Sequence, residues 1–209
     1  MRILTVLTYY RPHTSGLTIY TERLVKALAQ HGHELTVFTT QYQDDLPLEE
    51  VQDGVRIIRA PVVFRVSKGV IAPSFGRTAT RLVHQHDVVH LHLPQFDAPG
   101  VALRARLMGK PVVLTYHCDL SLPKGPFNYL VNQVVHAMNH LAAFLADRVV
   151  TYTQDYADHS PFLSRYKKKL VVIPPPVVLP SPANGTVREF AVENRTEENR
   201  PVIGMAARL

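Results

Sequence analysis

Cysteine is nearly missing: Cys118 is the only one in 209 residues, which excludes an internal disulfide and fits a reducing cytoplasm. The opening MRILTVL has neither the charged n-region nor the long apolar stretch of a signal peptide, and no apolar run reaches membrane-spanning length. The expectation is a soluble cytoplasmic protein, with any membrane contact peripheral. Two phosphate signatures are also missing. The first loop, TYYRPHTSGLT, holds Gly16 alone, so neither G-x-G-x-x-G nor G-x-x-x-x-G-K is present and a nicotinamide or ATP site is disfavoured. Acidic residues are outnumbered, 17 against 23 Lys and Arg, for a net charge of +6. That balance suits an anionic partner: a phosphate ligand, an acidic membrane surface or nucleic acid. Nucleic acid fits worst, because the basic residues are dispersed and not interleaved with aromatics.

What is there can bury one full core, with 46% hydrophobic and 19% charged residues. Residues 3–7 are apolar on both faces, which reads as a central, parallel strand ending in the loop 9–16. Thr14 or Ser15 caps a helix in which Leu17, Tyr20, Leu24, Val25 and Leu28 recur at helical spacing. Gly32 stops that helix and 34–40 is a second strand, so 2–40 form one right-handed βαβ unit. A glycine-containing loop feeding a helix points free N–H groups at the crevice, which suits phosphate.

Further along, 41–50 reads as an acidic loop, 55–59 as a short strand, and 60–74 as a long loop near the crevice. Helix is expected at 75–86, strand at 88–93, helix at 98–108 and strand at 112–116. A long apolar stripe over 127–146 fits a helix packed on the sheet, and strands at 148–153 and 170–173 flank a short helix near 156–165. The β-loop-α order without internal repeats predicts a doubly wound, mainly parallel, Rossmann-like α/β sheet. The proline-rich run from Pro174 then marks a change of composition. Residues 1–180 are expected to form one domain, 181–200 a linker, and 201–209 the first strand of an incomplete second domain.

Three groups of residues could carry chemistry. Gly16 is either a turn residue or a ligand contact, with Arg11 and His13 beside it. The run HQHDVVHLH places His90 and His92 on one face of a strand, where they fit the crevice rim as hydrogen-bond donors, while His84 and His86 are expected to be exposed at a helix end. A metal site is the weaker reading, since no Cys or Glu closes the set. The run Thr115-Tyr116-His117-Cys118-Asp119 follows a buried strand, at the carboxyl edge where open parallel sheets bind ligands. A histidine there can carry a proton or donate a hydrogen bond, and a nearby carboxylate can fix its tautomer. Nothing in the sequence lowers the pKa of Cys118.

Taken together these residues resemble the N-terminal domain of the group 1 glycosyltransferases, family 4, of GT-B architecture. YYRPHTSGLTIYTERLVKALAQHGHELTVFTT is similar to the family's opening strand, glycine loop, helix and second strand. DVVHLHLP, VVLTYHCDL, ADRVVTYTQDYADHSPFL and KLVVIPPPVV resemble later segments, and IGMAARL the strand that opens the nucleotide-sugar domain. The resemblance implies a retaining enzyme that moves a sugar from a nucleotide-sugar donor to a glycan, lipid or small-molecule acceptor. The N-terminal domain would mainly bind the acceptor, and neither metal nor cofactor would be required. It also implies that Gly16, with Ser15, lies against the donor, that His117 sits over the reacting sugar, and that Arg208 contacts the diphosphate. His92 and Asp119 are expected on the same lip of the cleft. Ser15 stands where the family has a first glycine, Thr18 where it has an acidic residue, and Pro175-Pro176 where it has Asn-Gly. The family's remaining donor-site segments have no counterpart up to Leu209, so the 209-residue chain is expected not to transfer sugar alone. The alternative is a non-catalytic sugar- or phosphate-binding α/β module. Phe64, Arg65, Lys68, Arg77 and Arg81 fit either a positive apolar rim facing the inner leaflet or an ordinary solvated basic face.

Overall fold

The computed structural model describes residues 1–66, 69–119 and 124–177 together with Glu189. Chain contacts separate Met1–Pro176 from Val177–Leu209. The linker expected at 181–200 and the strand expected at 201–209 lie outside the described residues, Glu189 excepted.

The first unit is a doubly wound α/β domain. Its elements are β1 (Arg2–Val6), α1 (Gly16–Gln30), β2 (Glu34–Gln41), β3 (Glu49–Gln52), β4 (Val55–Pro61), β5 (Phe64–Val66) and β6 (Gly69–Ile71). There follow α2 (Phe75–Gln85), β7 (Val88–Leu93), α3 (Ala98–Leu107), β8 (Val112–Tyr116), α4 (Pro126–Leu145), β9 (Arg148–Thr151), α5 (Gln154–His159), a 3-10 helix (Leu163–Lys169) and β10 (Leu170–Val172). The main sheet runs β10-β9-β8-β7-β1-β2-β4-β3. All its pairings are parallel except β3 with β4. The order turns back between β1 and β7, the place where sheets of this type open a crevice.

Both faces are covered, as the apolar strands require. Leu17, Val25 and Leu28 of α1 pack against Ile3, Leu35, Val37 and Ile57. The other face carries α2, α3 and part of α4 over Leu4, Val6, Leu91, Leu114 and Val149. One device recurs at the sheet's amino edge. Asp87, just before β7, accepts from the Arg2 backbone N–H and guanidinium at 2.8 Å each, and Asp147, just before β9, accepts from the Val112 N–H at 2.8 Å. Each carboxylate satisfies the first donor of the neighbouring strand, and Arg2 holds the Asp87 carboxyl down at about 2.

Several expectations need correction. The loop at 41–50 ends in an edge strand, β3, because Asp53 and Gly54, at φ 51° and 77°, make the tight turn of a hairpin with β4. The loop at 60–74 holds a second hairpin, β5 with β6, whose residues 67 and 68 lie outside the described set. The helix near 156–165 divides into α5 and the 3-10 helix. Most consequential, the apolar stripe of α4 packs on the core only near the helix C-terminus. Only Asn139, Ala142 and Ala143 of α4 are buried, and Phe127, Tyr129, Leu130 and Phe144 are all more than half exposed. Small residues fill the contact near the helix C-terminus. There Lys169 Nζ closes the last turn, donating to the carbonyls of Phe144 and Ala146 at 2.6 and 2.7 Å.

This difference has a measurable signature. Leu114→Ala, in the core, should cost about 2–5 kcal/mol in chemical denaturation, whereas Leu130→Ala should change stability by less than about 0.5 kcal/mol.

Candidate functional site

The site is a consequence of strand period. On β7 the even positions Val88, His90 and His92 share the α1 face, opposite Val89, Leu91 and Leu93 in the core. His92 pairs in register with Thr115 of β8, and Thr115 with Val150 of β9. Two residues on from these, still on the same face, come His117 and Tyr152. The His117 backbone N–H bonds the Leu93 carbonyl at 3.1 Å and so continues the ladder one step beyond β8.

α1 closes this row from above. Ser15 is its N-cap, its hydroxyl accepting from the Thr18 N–H at 3.2 Å. One turn in, the Tyr20 ring stands perpendicular to His117, with centroids 5.1 Å apart, and lies 5.2 Å from Tyr152 and 6.0 Å from His92. Gly16 lies at the first position of the helix, and a Cβ built there meets nothing within 4 Å. Its α-carbon therefore faces open space, and no packing constraint of this domain requires glycine.

Hydrogen bonds run beneath. The Thr115 hydroxyl meets His90 Nε2 at 2.8 Å. Separately, His92 Nδ1 meets His117 Nε2 at 2.9 Å, and His117 Nδ1 meets the Tyr152 hydroxyl. Burial pushes His90 down to about 4 and His117 to about 3, the latter helped by His90. His92 is held well below the ordinary histidine range, by burial first and then by His90 and His117. The cluster is thus uncharged at neutral pH. Burial also raises the Tyr152 phenol, keeping it protonated.

Of the residues anticipated from sequence, His92 and His117 meet here, while Ser15 and Gly16 stand at the start of the helix that carries Tyr20. His92 is fully buried and stands one layer beneath His117, not on the rim. Asp119 points elsewhere: its carboxylate accepts from Tyr116 at 3.0 Å, Tyr156 at 2.8 Å and Ser160 at 3.1 Å, tying the segment after β8 to α5. The tautomer of His117 is therefore set by His92 and Tyr152, not by a carboxylate. Arg11 is held by Glu22 at 2.7 Å, and Glu22 by Lys26 at 3.0 Å. Arg208 lies outside the described residues. His84 is exposed as expected, but His86 is buried, with its Nδ1 on the Leu82 carbonyl at 2.6 Å. Among the described residues no group of three or more His, Cys, Asp or Glu could hold a metal ion. Partial burial, then Asp119, pushes the Cys118 thiol up, which disfavours it as a nucleophile.

Sequence reasoning missed Tyr20 as a site residue, and Tyr152 altogether. The signal for Tyr152 was the alternation Arg148, Val150, Tyr152, which carries the face of β9 one step past its end.

Four histidines kept neutral by burial, His86, His90, His92 and His117, predict acid lability. Unfolded, each protonates below about pH 6.5. Folded, they stay neutral, so the unfolded chain binds more protons as pH falls. Their contribution is fully present above pH 6.5 and is lost as pH falls through the lowered values. The melting temperature should hold level from pH 8 to 7 and drop steadily from pH 6.5 to 4, as read by differential scanning fluorimetry.

This arrangement has counterparts. Residues 15–176 match the family described as Glycosyl transferase 4-like domain. No curated protein matches in sequence. Among solved structures the chain is similar to a sucrose-phosphate synthase from Thermosynechococcus elongatus, with TM-score 0.60 and 17% identity over 96% of this chain and 54% of that one. It is also similar to WaaG, a glycosyltransferase involved in lipopolysaccharide biosynthesis (TM-score 0.57, 17% identity, 95% of this chain, 52% of that one). MurG of Acinetobacter baumannii is a third (TM-score 0.50, 15% identity, 87% and 47%). At these identities the structural likeness speaks to fold alone, and the chain spans about half the length of each. The family match over most of the chain and the shared doubly wound fold lead to one assignment: the chain belongs to the Glycosyl transferase 4-like family and has a Rossmann-like fold of the kind these GT-B glycosyltransferases contain.

Proposed function

We propose that this domain forms the acceptor-side wall of a retaining glycosyltransferase site that uses a nucleotide-sugar donor and no metal or other cofactor. The observation that carries the reading is the open space over Gly16 at the start of α1, a helix whose next turn sets Tyr20 against His117 and Tyr152, at the carboxyl edge beside the turning point of the strand order. A glycine there lets a ligand approach the backbone at the start of a helix, where free N–H groups favour phosphate oxygens. His117, neutral and oriented on both ring nitrogens, would face the reacting sugar. Arg208 would contact the diphosphate. Such a site works by positioning reactants and stabilising the leaving diphosphate. The 209-residue chain alone should turn over no sugar nucleotide, since a domain of the kind that completes its structural neighbours would supply the donor half.

The test is a nucleotide-sugar screen of the full-length gene product. His117→Ala should lower kcat by about 100-fold. Gly16→Ala should lower kcat/KM roughly tenfold or more while leaving the melting temperature unchanged, since the added methyl meets no protein atom. A Gly16→Ala enzyme with full activity would remove the glycine from the donor site.

The same reading includes a lipid-linked acceptor and contact with the cytoplasmic leaflet. Phe64 and Arg65 of the β5–β6 hairpin are exposed, as are Arg77 and Arg81 on α2. Lys68 lies outside the described residues. Residues 60–146 hold no glutamate and three aspartates, Asp87, Asp97 and Asp119, against eight lysines and arginines. Exposed apolar side chains on a basic background suit an anionic bilayer surface. Among the described residues no helix is long and apolar enough to cross a membrane. The protein should co-sediment with vesicles containing phosphatidylglycerol and not with neutral phosphatidylcholine vesicles, and an Arg65→Glu/Arg77→Glu variant should lose most of that binding. Equal sedimentation with both lipids argues for a solvated basic face instead.

A further inference from the structure

The Tyr152–His117–His92 chain has a direction, and the direction identifies which group meets the substrate. Each neutral imidazole carries one N–H. If the Tyr152 O–H donated inward to His117 Nδ1, His117 Nε2–H would donate to His92 Nδ1, and the His92 proton would sit on its Nε2. That nitrogen is buried and has no hydrogen-bonding partner among the described residues. A buried donor with no acceptor forfeits its hydration outright, and orphaned N–H groups are the rarer kind of defect in folded proteins. The opposite polarity avoids it. His92 Nδ1–H donates to His117 Nε2, His117 Nδ1–H donates to the Tyr152 oxygen, and the Tyr152 hydroxyl proton is left free. Tyr152 is half-buried at the carboxyl edge, whereas His92 is fully enclosed.

We infer that Tyr152 is a substrate-binding residue of this site, its hydroxyl donating to a neutral sugar oxygen, and that His92 is the positioning residue that orients the relay outward. A sugar oxygen is the matching class because the relay bears no net charge and ends in one hydroxyl donor, whereas a phosphate is served by the several N–H groups at the start of a helix. This rests on the transferase reading for the identity of the ligand, but the direction of the relay does not.

The direction can be read without substrate. In the 209-residue chain labelled with 15N-histidine at pH 7, long-range 1H–15N correlation reports which ring nitrogen of each imidazole bears the proton, with His117→Asn used to assign the signals. The expected result is His92 and His117 both neutral and both protonated at Nδ1. Tyr152→Phe should leave His117 in that tautomer, because His92 still sets it, while its Nδ1 proton exchanges faster with water. His117 protonated at Nε2, a mixture of tautomers, or a doubly protonated ring in the wild type overturns the inference, since the Tyr152 proton would then be committed inward or the chain would be charged. An inverted tautomer leaves the transferase reading standing, and an empty nucleotide-sugar screen leaves the direction of the relay standing.

Discussion

Everything at the site depends on β1 being flanked in parallel by β2 on one side and β7 on the other. Because β7 follows five later strands in the chain, three of them in the main sheet, yet docks directly on β1, connections leave the sheet in opposite directions at that seam. The carboxyl edge opens there. α1, entering from β1, packs over β1, β2 and β4, and its Tyr20 ring extends the other way, to His92 of β7 and to His117 just past β8. That is how Tyr20 of the first helix reaches His117, nearly a hundred positions away in sequence. The register His92 with Thr115 with Val150 then carries one face across three strands, and the next same-face residues on β8 and β9, His117 and Tyr152, complete the wall.

The wall is polar inside and uncharged. Burying histidines is tolerated when they remain neutral and find partners, and here most do: His90 with Thr115, His92 with His117, His117 with Tyr152. Buried polar networks lock side-chain orientation more tightly than apolar packing does, because rotation breaks bonds that water cannot replace. Such rigidity suits a surface that holds a ligand in one position. The charged groups near the site have their partners elsewhere: Arg11 pairs with Glu22, and Asp119 accepts from three hydroxyls that tie the segment after β8 to α5.

Much of the fold was legible in the residues themselves. β7 and β8 fall at the expected boundaries, since continuous β-branched runs between turn residues admit one reading. A cap at Thr14 or Ser15 and the inward side of α1 followed from local chemistry, and the structure selects Ser15. The β3–β4 hairpin was legible in principle from Asp53-Gly54. The α4 stripe misled because helical periodicity reports amphipathicity and not what covers the apolar face: Asn139, Ala142, Ala143 and Leu145 make the contact, while Phe127, Tyr129, Leu130 and Phe144 are exposed.

The sequence by itself determined the parallel α/β class, the glycine-bearing loop before α1, and the placement of His117 just past a buried strand, because these depend on local period, capping and turn chemistry. Only the tertiary structure decided which side chains meet. It put His92 beneath His117 and not on the rim, turned Asp119 toward α5, buried His86 and brought Tyr20 and Tyr152 to the imidazole. The reason is physical: local sequence sets which face of a strand a residue occupies, but its neighbours on that face come from strand order and register, which are settled by packing among segments far apart in the chain.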